Sequence, residues 1–223
     1  MGAKPDTSDM NHPIHPQMPI EEPTFDIEPR MTAALQGPIA GVDEAGRGAW
    51  AGPVVAGAVI LDPDNTPAGL RDSKTIPEKK REEIAKALWA CAQIGVGEAS
   101  VEEIDEMGVG KATYLAMQRA VANLPLKPAG AIIDGLYAPI LPGIEIETVV
   151  KGDSKSLSVA AASIIAKTHR DGTMRQLAET CDAYGWERNK GYGAKAHQEG
   201  LGTHGVTGHH RTSFAPIRKL MGT

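Results

Sequence analysis

Short runs of β-branched and small apolar residues alternate along the chain with turns that contain glycine or proline. Runs of this kind predict short strands, several of them buried. Five strands are predicted, at Gly37–Asp43, Pro53–Leu61, Gln93–Ala99, Ala131–Asp134 and Glu145–Val150.

Helices are predicted between these strands. The run Thr75-Ile76-Pro77-Glu78 matches a capping box, in which a hydroxyl and a carboxylate each bind a backbone amide, and predicts a helix to about Ala92. Ser100 and Glu103 repeat the spacing before a short helix. Two further helices are predicted, at Lys111–Asn123 and Ser156–Asp182. The second of these begins with small and apolar residues, SLSVAAASIIA, so its start should lie buried and close to a sheet.

The order of these elements predicts an α/β fold in which helices cover a mixed sheet. The glycine- and histidine-rich residues 184–223 predict short helices at most. Residues 1–36 hold six prolines and few aliphatic side chains, which predicts a disordered, acidic, proline-rich tail. The predicted domains are therefore the tail, residues 1–36, and one folded domain, residues 37–223.

Composition and cysteine content narrow the class of protein. The chain is 41% hydrophobic and 23% charged, which is typical of a globular domain and excludes collagen and coiled coils. Cys91 and Cys181 are too few for a disulfide framework, and a reducing, cytoplasmic location is predicted. The longest uncharged stretch, Gly48–Leu61, is too short to span a bilayer, so no membrane partner is expected.

Charge is distributed unevenly along the chain. The net charge of -5 argues against a partner that is a polyanion. However, residues 151–223 hold 11 basic and 6 acidic side chains. The last third of the chain can therefore form a basic face for nucleic acid, although an ordinary solvated surface would have the same composition.

Carboxylates follow three of the predicted strands. Asp43 and Glu44 end the first strand, Asp134 ends the fourth, and Asp153 follows the fifth. Crowded carboxylates at the edge of a sheet are typical of a site for a hard divalent cation, which neutralises their repulsion. Each position also fits an aspartate that caps a turn. Because neighbouring strand residues point to opposite faces, Asp43 and Glu44 can share one site only where the strand ends or bulges.

Three short motifs fit contacts with nucleic acid. The run Gly46-Arg47-Gly48 offers exposed amides and a cation, and Asp72-Ser73-Lys74 offers a hydroxyl and an ammonium group before a helix. Tyr192 lies between glycines, where its ring could stack on a sugar or base. Taken singly, each motif fits a solvated turn or a packed surface side chain equally well. The histidines of the last third have no zinc-site spacing, so surface or hydrogen-bonded roles are expected for them.

Taken together, the motifs resemble those of bacterial ribonuclease HII, a type 2 ribonuclease H, over essentially all of residues 37–220. They occur in the family's order: GVDEAGRGAWAGPVVAGAVIL, DSK, AIIDG, VVKGDSKSLSVAAASIIAKTHRD, NKGYGAKAH and HHRTSFAPI. The resemblance implies the ribonuclease H-like fold, a five-stranded mixed sheet flanked by helices. The chain departs from the family pattern at Ala49-Trp50 and at Gly193-Ala194.

The resemblance also implies an activity and assigns roles. It implies hydrolysis of the RNA strand of RNA–DNA hybrids, and cutting 5′ of ribonucleotides embedded in duplex DNA, by two Mg²⁺ or Mn²⁺ ions that leave 5′-phosphate and 3′-hydroxyl ends. It assigns catalysis and metal binding to Asp43, Glu44, Asp134 and Asp153. It assigns substrate binding to Gly46, Arg47, Gly48, Asp72, Ser73, Lys74 and Tyr192. Asp171 lies outside the matched metal set and is expected to be structural. The family likeness further implies a monomer and identifies no replication partner.

Two other functions compete with this one. A ribonuclease HIII-like nuclease would carry an N-terminal binding domain, for which 36 proline-rich residues are too few. A non-catalytic module that binds hybrids would bind a polyanion better without the four carboxylates. Metal-dependent cleavage of a duplex with one ribonucleotide discriminates between an enzyme and a binding module.

Overall fold

The computed structural model describes residues 22–222. Five strands form one sheet in the order β3-β2-β1-β4-β5. The strands are β1 (Ile39–Ala45), β2 (Val54–Ile60), β3 (Gln93–Ala99), β4 (Gly130–Asp134) and β5 (Glu145–Val149). The three strands β1, β2 and β3 pair antiparallel, whereas β4 runs parallel to both β1 and β5. The predicted five-stranded mixed sheet is confirmed.

Eight α-helices accompany this sheet within the described residues. They are α1 (Ile27–Leu35), α2 (Glu78–Cys91), α3 (Val101–Met107), α4 (Val109–Ala122), α5 (Leu157–Thr180), α6 (Trp186–Asn189), α7 (Lys195–His204) and α8 (Ala215–Met221). An aliphatic core between the sheet and α4 covers one face, and a second core beneath α5 and α2 covers the other. None of the helices in residues 22–222 combines the length and apolarity needed to cross a membrane.

Helix α5 lies unusually close to the sheet because glycines face it. A Cβ atom at Gly41 would lie 2.1 Å from the backbone carbon of Ser158, and one at Gly57 would lie 2.6 Å from the carbonyl oxygen of Ala162. Glycine on the strands and small residues on the helix therefore let two backbones approach. This is the close packing that the small-residue start of the helix predicts.

The prediction of a disordered tail is wrong for residues 22–36, which pack on the folded body. Residues 27–35 form α1, whose Met31 packs with Ile39, Ile132 and Val159 of the folded body. Thr24 pairs in a β-bridge with Ser156. The few apolar residues of this segment suffice because they cover apolar side chains of β1, β4 and α5 that would otherwise be exposed. The rest of the predicted tail, residues 1–21, lies outside the described residues.

One of the two predicted capping boxes is confirmed and the other is wrong. The hydroxyl of Ser100 accepts a hydrogen bond from the amide of Glu103, and the Glu103 carboxylate accepts one from the amide of Ser100. By contrast, α2 begins after Pro77, and the hydroxyl of Thr75 donates instead to the carbonyl of Asp72 at 2.7 Å. The Thr75 hydroxyl is thus used by the preceding turn and does not cap the helix.

Candidate functional site

The carboxylates of β1 and β4 meet at one edge of the sheet. The parallel ladder pairs Val42 with Ile133, so Asp43 and Asp134 occupy the next position on neighbouring strands. Strands pair about 4.8 Å apart, which brings these two residues side by side. Asp134 is the last residue of β4 and pairs with Val149 of β5. A short 3₁₀ turn after β5 then carries Asp153 to the same edge.

Asp43 faces α5. It lies two residues after Gly41 and pairs across the ladder with Gly57, both of which face that helix. Its side chain is buried, with 6% of the residue exposed. Burial raises the pKa of Asp43 well above its usual range, the charges of Glu44 and Asp134 raise it further, and a hydrogen bond with the Ser163 hydroxyl partly opposes the rise.

Glu44 joins the same cluster although β1 does not bulge. The antiparallel ladder to β2 continues through Asp43, Glu44 and Ala45, whereas the ladder to β4 ends at Val42. Glu44 nevertheless lies close enough to Asp134 and Lys74 for their charges to act on it. Burial raises the pKa of Glu44, Arg47 at 3.9 Å lowers it, and the charge of Asp134 raises it again.

The turn that carries Asp153 also binds the side chain of Asp134. The amide of Gly152 donates to Asp134 Oδ1 at 2.7 Å. Burial raises the pKa of Asp153, and the charges of Asp72 and Asp134 raise it further. Asp134 therefore lies within electrostatic range of all three other candidate carboxylates.

The four carboxylates suit a hard divalent cation by their chemistry. All the donor atoms are oxygens, and three of the four groups are penalised by burial and by their neighbours' charges, a cost that a cation would relieve. Among the described residues, no group of three aspartate, glutamate, histidine or cysteine side chains stands close enough to hold an ion in the present conformation. Mutual repulsion opposes that convergence, and a bound cation would favour it.

The Asp72–Lys74 segment lies against this cluster, but its three residues differ in role. Ser73 is buried, and its hydroxyl lies 2.8 Å from that of Ser163. The Ser73 hydroxyl therefore faces α5 in this conformation and is not exposed for the substrate contact that the sequence suggests. The carboxylate of Asp72 accepts a hydrogen bond from the amide of Lys74. Partial desolvation would lower the pKa of Lys74, but the charges of Asp72 and of the clustered aspartates raise it overall.

The Gly46–Gly48 turn and Tyr192 meet beside the carboxylates. A Cβ atom at Gly48 would lie 4.0 Å from Cε1 of the Tyr192 ring. The amide of Trp50 donates to the carbonyl of Gly191 at 2.8 Å, which fastens the two segments together. Arg47 and Tyr192 are both exposed, so both side chains can reach a bound molecule.

The two departures from the family pattern touch each other. A Cβ atom at Gly193 would lie 2.2 Å from the indole ring of Trp50. A larger side chain at position 193 would therefore collide with this tryptophan. The bulky Trp50 therefore packs directly against the backbone of Gly193 in the Tyr192 loop, and the two departures compensate each other.

Asp171 takes no part in the carboxylate cluster. It is buried and accepts hydrogen bonds from Arg81 at 2.9 Å and Lys167 at 2.6 Å. Both of its oxygens are occupied by cations of the protein itself. This contact fits the structural role expected for Asp171.

Sequence reasoning missed two buried arginines behind the site. Arg170 and Arg211 donate to backbone carbonyls of the segment 47–53. The Nδ1 atom of His197 lies 2.9 Å from the carbonyl of Tyr192, which fits the hydrogen-bonded role expected for the histidines. Arg170 stands next to Asp171 in the HRD run, and Arg211 stands in HHRTSF. Nothing in periodicity distinguishes such residues from exposed cations, because a buried arginine that binds only carbonyls leaves no pattern in the sequence.

The chain is similar in sequence and structure to known ribonucleases H. The family model of ribonuclease HII matches residues 40–217. A ribonuclease HII of Jannaschia sp. is 50% identical over 201 residues, covering 89% of this chain and 98% of that protein. One of Magnetococcus marinus is 47% identical over 214 residues, covering 95% and 99%. The crystal structure of ribonuclease H2 from Pyrococcus horikoshii has a TM-score of 0.68 at 25% identity and covers 82% of this chain and 97% of its own.

Proposed function

The chain belongs to the ribonuclease HII family, and we propose that its strand-end carboxylates cleave RNA where the Gly46–Gly48 turn and Tyr192 recognise a ribonucleotide. As a member of this family the chain is a ribonuclease H, an endonuclease that hydrolyses the RNA strand of RNA–DNA hybrids. The assignment of individual residues and of the metal is the proposal.

One observation carries the assignment of the catalytic centre. Asp43 and Asp134 end neighbouring parallel strands in register, and Glu44 and Asp153 reach the same edge from either side. A purely structural aspartate at such a position would be expected to pair with cations of the protein itself, as Asp171 does with Arg81 and Lys167. The clustered carboxylates instead share one region in which burial and repulsion raise the pKa of three of them.

The activity of this family depends on metal, and we propose that Asp43, Glu44, Asp134 and Asp153 hold two ions, Mg²⁺ or Mn²⁺. When bound, such ions activate water and neutralise the leaving 3′-oxygen, which gives 5′-phosphate and 3′-hydroxyl ends. The hydrogen bond from Gly152 orients the Asp134 carboxylate. Lys74, beside the cluster, is placed to balance charge at the scissile phosphate, and Asp72 orients Lys74 through its backbone amide.

Recognition of the ribonucleotide is proposed for the adjoining loop pair. The 2′-hydroxyl is the group that distinguishes RNA from DNA, and it both donates and accepts hydrogen bonds. Arg47 and Gly48 are exposed at this turn, next to the buried Gly46, and the exposed ring of Tyr192 stands beside Gly48, where it would stack on the neighbouring nucleotide. The proposed substrates are RNA–DNA hybrids and duplex DNA that contains ribonucleotides. Ser73 acts only indirectly, by anchoring the loop of Lys74 to α5.

The proposal is tested with Asp134→Asn and Asp153→Asn, compared with Asp171→Asn. Each variant is assayed for cleavage of a duplex with one embedded ribonucleotide, at saturating Mg²⁺ and below its melting temperature. Cleavage by the first two should be nearly abolished while binding of the duplex persists, because a ligand charge is lost and no core contact changes. Asp171→Asn should keep much more activity, although it removes a buried ion pair and lowers stability.

Near-parent turnover by Asp134→Asn would remove that residue from the catalytic set. Equal losses in Asp153→Asn and Asp171→Asn, with both variants folded, would show that the fourth carboxylate is wrongly assigned. A parent protein that binds the duplex but leaves it intact with either Mg²⁺ or Mn²⁺ would favour the non-catalytic binding module.

A further inference from the structure

The guanidinium of Arg170 lies fully buried beneath the loops proposed to recognise the ribonucleotide. Its Nε donates to the carbonyl of Pro53 at 2.9 Å, one terminal nitrogen to Lys190 at 2.9 Å, and the other to Ala51 at 3.1 Å. The three acceptors belong to two separate segments, one that follows the Gly46–Gly48 turn and one that precedes Tyr192. A single planar group therefore joins these two segments.

Arg170 also touches both recognition elements directly. Gly46 has a φ of +90°, and a Cβ atom there would lie 1.8 Å from Nε of Arg170. On its other side, the guanidinium carbon of Arg170 lies 5.6 Å from the centre of the Tyr192 ring, within range of a cation–π contact. The turn at Gly46 needs both the left-handed backbone and the missing side chain because this guanidinium occupies the space beside it.

A second buried arginine supports only one of the two segments. Arg211 donates to the carbonyls of Arg47, Gly52 and Pro53, and its ring contact is with Phe214. Burial lowers the pKa of Arg211 to about 9, and the nearby charge of Arg170 contributes to this. Of these two arginines, Arg170 alone reaches across to the Tyr192 segment.

We propose that Arg170 is a positioning residue that fixes the distance between the Gly46–Gly48 turn and the Tyr192 ring, and that it thereby sets the preference for a single embedded ribonucleotide. The inference rests on the proposed function of these two elements. A guanidinium holds three donors in one rigid plane, whereas an ammonium on a flexible stem cannot satisfy three carbonyls in the same directions. On a long hybrid every nucleotide offers a 2′-hydroxyl, so small displacements of the loops are tolerated. A single ribonucleotide allows one register only.

The test is Arg170→Lys, which keeps the positive charge and removes the planar guanidinium with its three hydrogen-bond donors. The readout is kcat/KM on a duplex with one ribonucleotide divided by kcat/KM on a long RNA–DNA hybrid. This ratio should fall about tenfold, within the range expected from losing a stacked ring. The matched control is Arg81→Lys, another buried guanidinium with three hydrogen bonds, which go to Ser73, Ile76 and Asp171. Its ratio should stay at the parent value even where stability falls.

A double-mutant cycle tests the route of the effect. If Arg170 acts through Tyr192, Arg170→Lys should not lower the ratio further in a Tyr192→Ala background. Should Arg170→Lys fail to fold, Gly46→Ala approaches the same contact from the other side, because its methyl group displaces the guanidinium. The ratio should again fall.

Two results would overturn the role of Arg170. One is an unchanged ratio in a folded Arg170→Lys or Gly46→Ala variant, while Tyr192→Ala does change it. The other is full additivity of Arg170→Lys and Tyr192→Ala. An unchanged ratio in Tyr192→Ala itself would instead overturn the proposed function of the tyrosine, and the role of Arg170 with it.

Discussion

Replacing Glu28 by alanine should destabilise the protein markedly. Glu28 lies on α1 and is buried, with 5% of its surface exposed. Its Oε1 accepts three hydrogen bonds, from the Ser156 hydroxyl at 2.7 Å, the Ser158 hydroxyl at 2.8 Å and the Ser158 amide at 3.0 Å. These donors lie at the first turn of α5, where amides have no partner within the helix and a negative charge is favourable.

The magnitude follows from these contacts. A hydrogen bond to a charged acceptor contributes about 1.5–3 kcal/mol, and three on one oxygen do not add fully. The other oxygen, Oε2, is buried and has no partner among the described residues, which offsets part of the gain. We expect Glu28→Ala to lower the free energy of unfolding by about 2–4 kcal/mol. For a chain of this length that corresponds to a fall in melting temperature of roughly 5–15 °C.

Thermal unfolding followed by circular dichroism measures the effect. The control is Arg30→Ala on the same helix, whose exposed ion pair with Glu147 should contribute less than about 1 kcal/mol. A second comparison sets a chain that begins at Glu22 against one that begins at Gly37, and the shorter chain should melt lower. If Glu28→Ala melts within a degree or two of Arg30→Ala, the contact between α1 and α5 contributes nothing measurable and the reasoning fails.

Two further predictions concern the site and the packing behind it. Asp43→Asn should raise the melting temperature of the metal-free protein at neutral pH, because it removes a buried charge that Glu44 and Asp134 repel. Cleavage should be lost in the same variant. A lower melting temperature would mean that the Asp43 carboxylate stabilises the fold. Gly57→Ala should destabilise the protein, since its methyl group would lie 2.6 Å from a carbonyl oxygen of α5. Gly172→Ala lies inside α5, where a Cβ atom would have no neighbour within 4 Å, and it should stabilise the protein by about 0.5–1 kcal/mol. Urea denaturation of both glycine variants gives the comparison, and shifts of the same sign would contradict it.

The sheet could be predicted from the sequence because its strands are short apolar runs with clear limits. The predicted third strand agrees with β3 at both ends, Gln93–Ala99. Boundaries shifted where a polar residue continues a strand: β1 runs on through Glu44 to Ala45, two residues past its predicted end. Pairing with β2, which no local pattern contains, keeps those residues extended.

The N-terminal segment was misjudged for a related reason. Residues 27–35 contain few apolar side chains, and alone they would not offset the entropy of ordering a helix. Their order comes from contacts made far away in sequence, such as Glu28 with Ser158 and Met31 with Ile132. Composition reports only what a segment could bury by itself, so it cannot show that apolar side chains elsewhere in the fold need covering.

Candidate site residues could be found from sequence when their chemistry was unusual for their position. A carboxylate that ends an apolar strand, such as Asp134, is conspicuous, and so is a tyrosine between two glycines, as at position 192. Ser73 shows the limit of this reasoning, because a hydroxyl beside a lysine looks available for a phosphate. The structure turns it inward to Ser163, a residue 90 positions away along the chain.

The close approach of α5 to the sheet connects the packing to the chemistry. Gly41 on β1 and Gly57 on β2 allow this approach, and α5 then brings the Ser163 hydroxyl to both Asp43 and the loop of Lys74. A wider gap between helix and sheet would separate the loop from the carboxylates without altering any residue proposed to act on the substrate. Residues without functional groups therefore decide how closely the charged ones are crowded. By this argument, activity should fall in Gly57→Ala more than its loss of stability alone would explain.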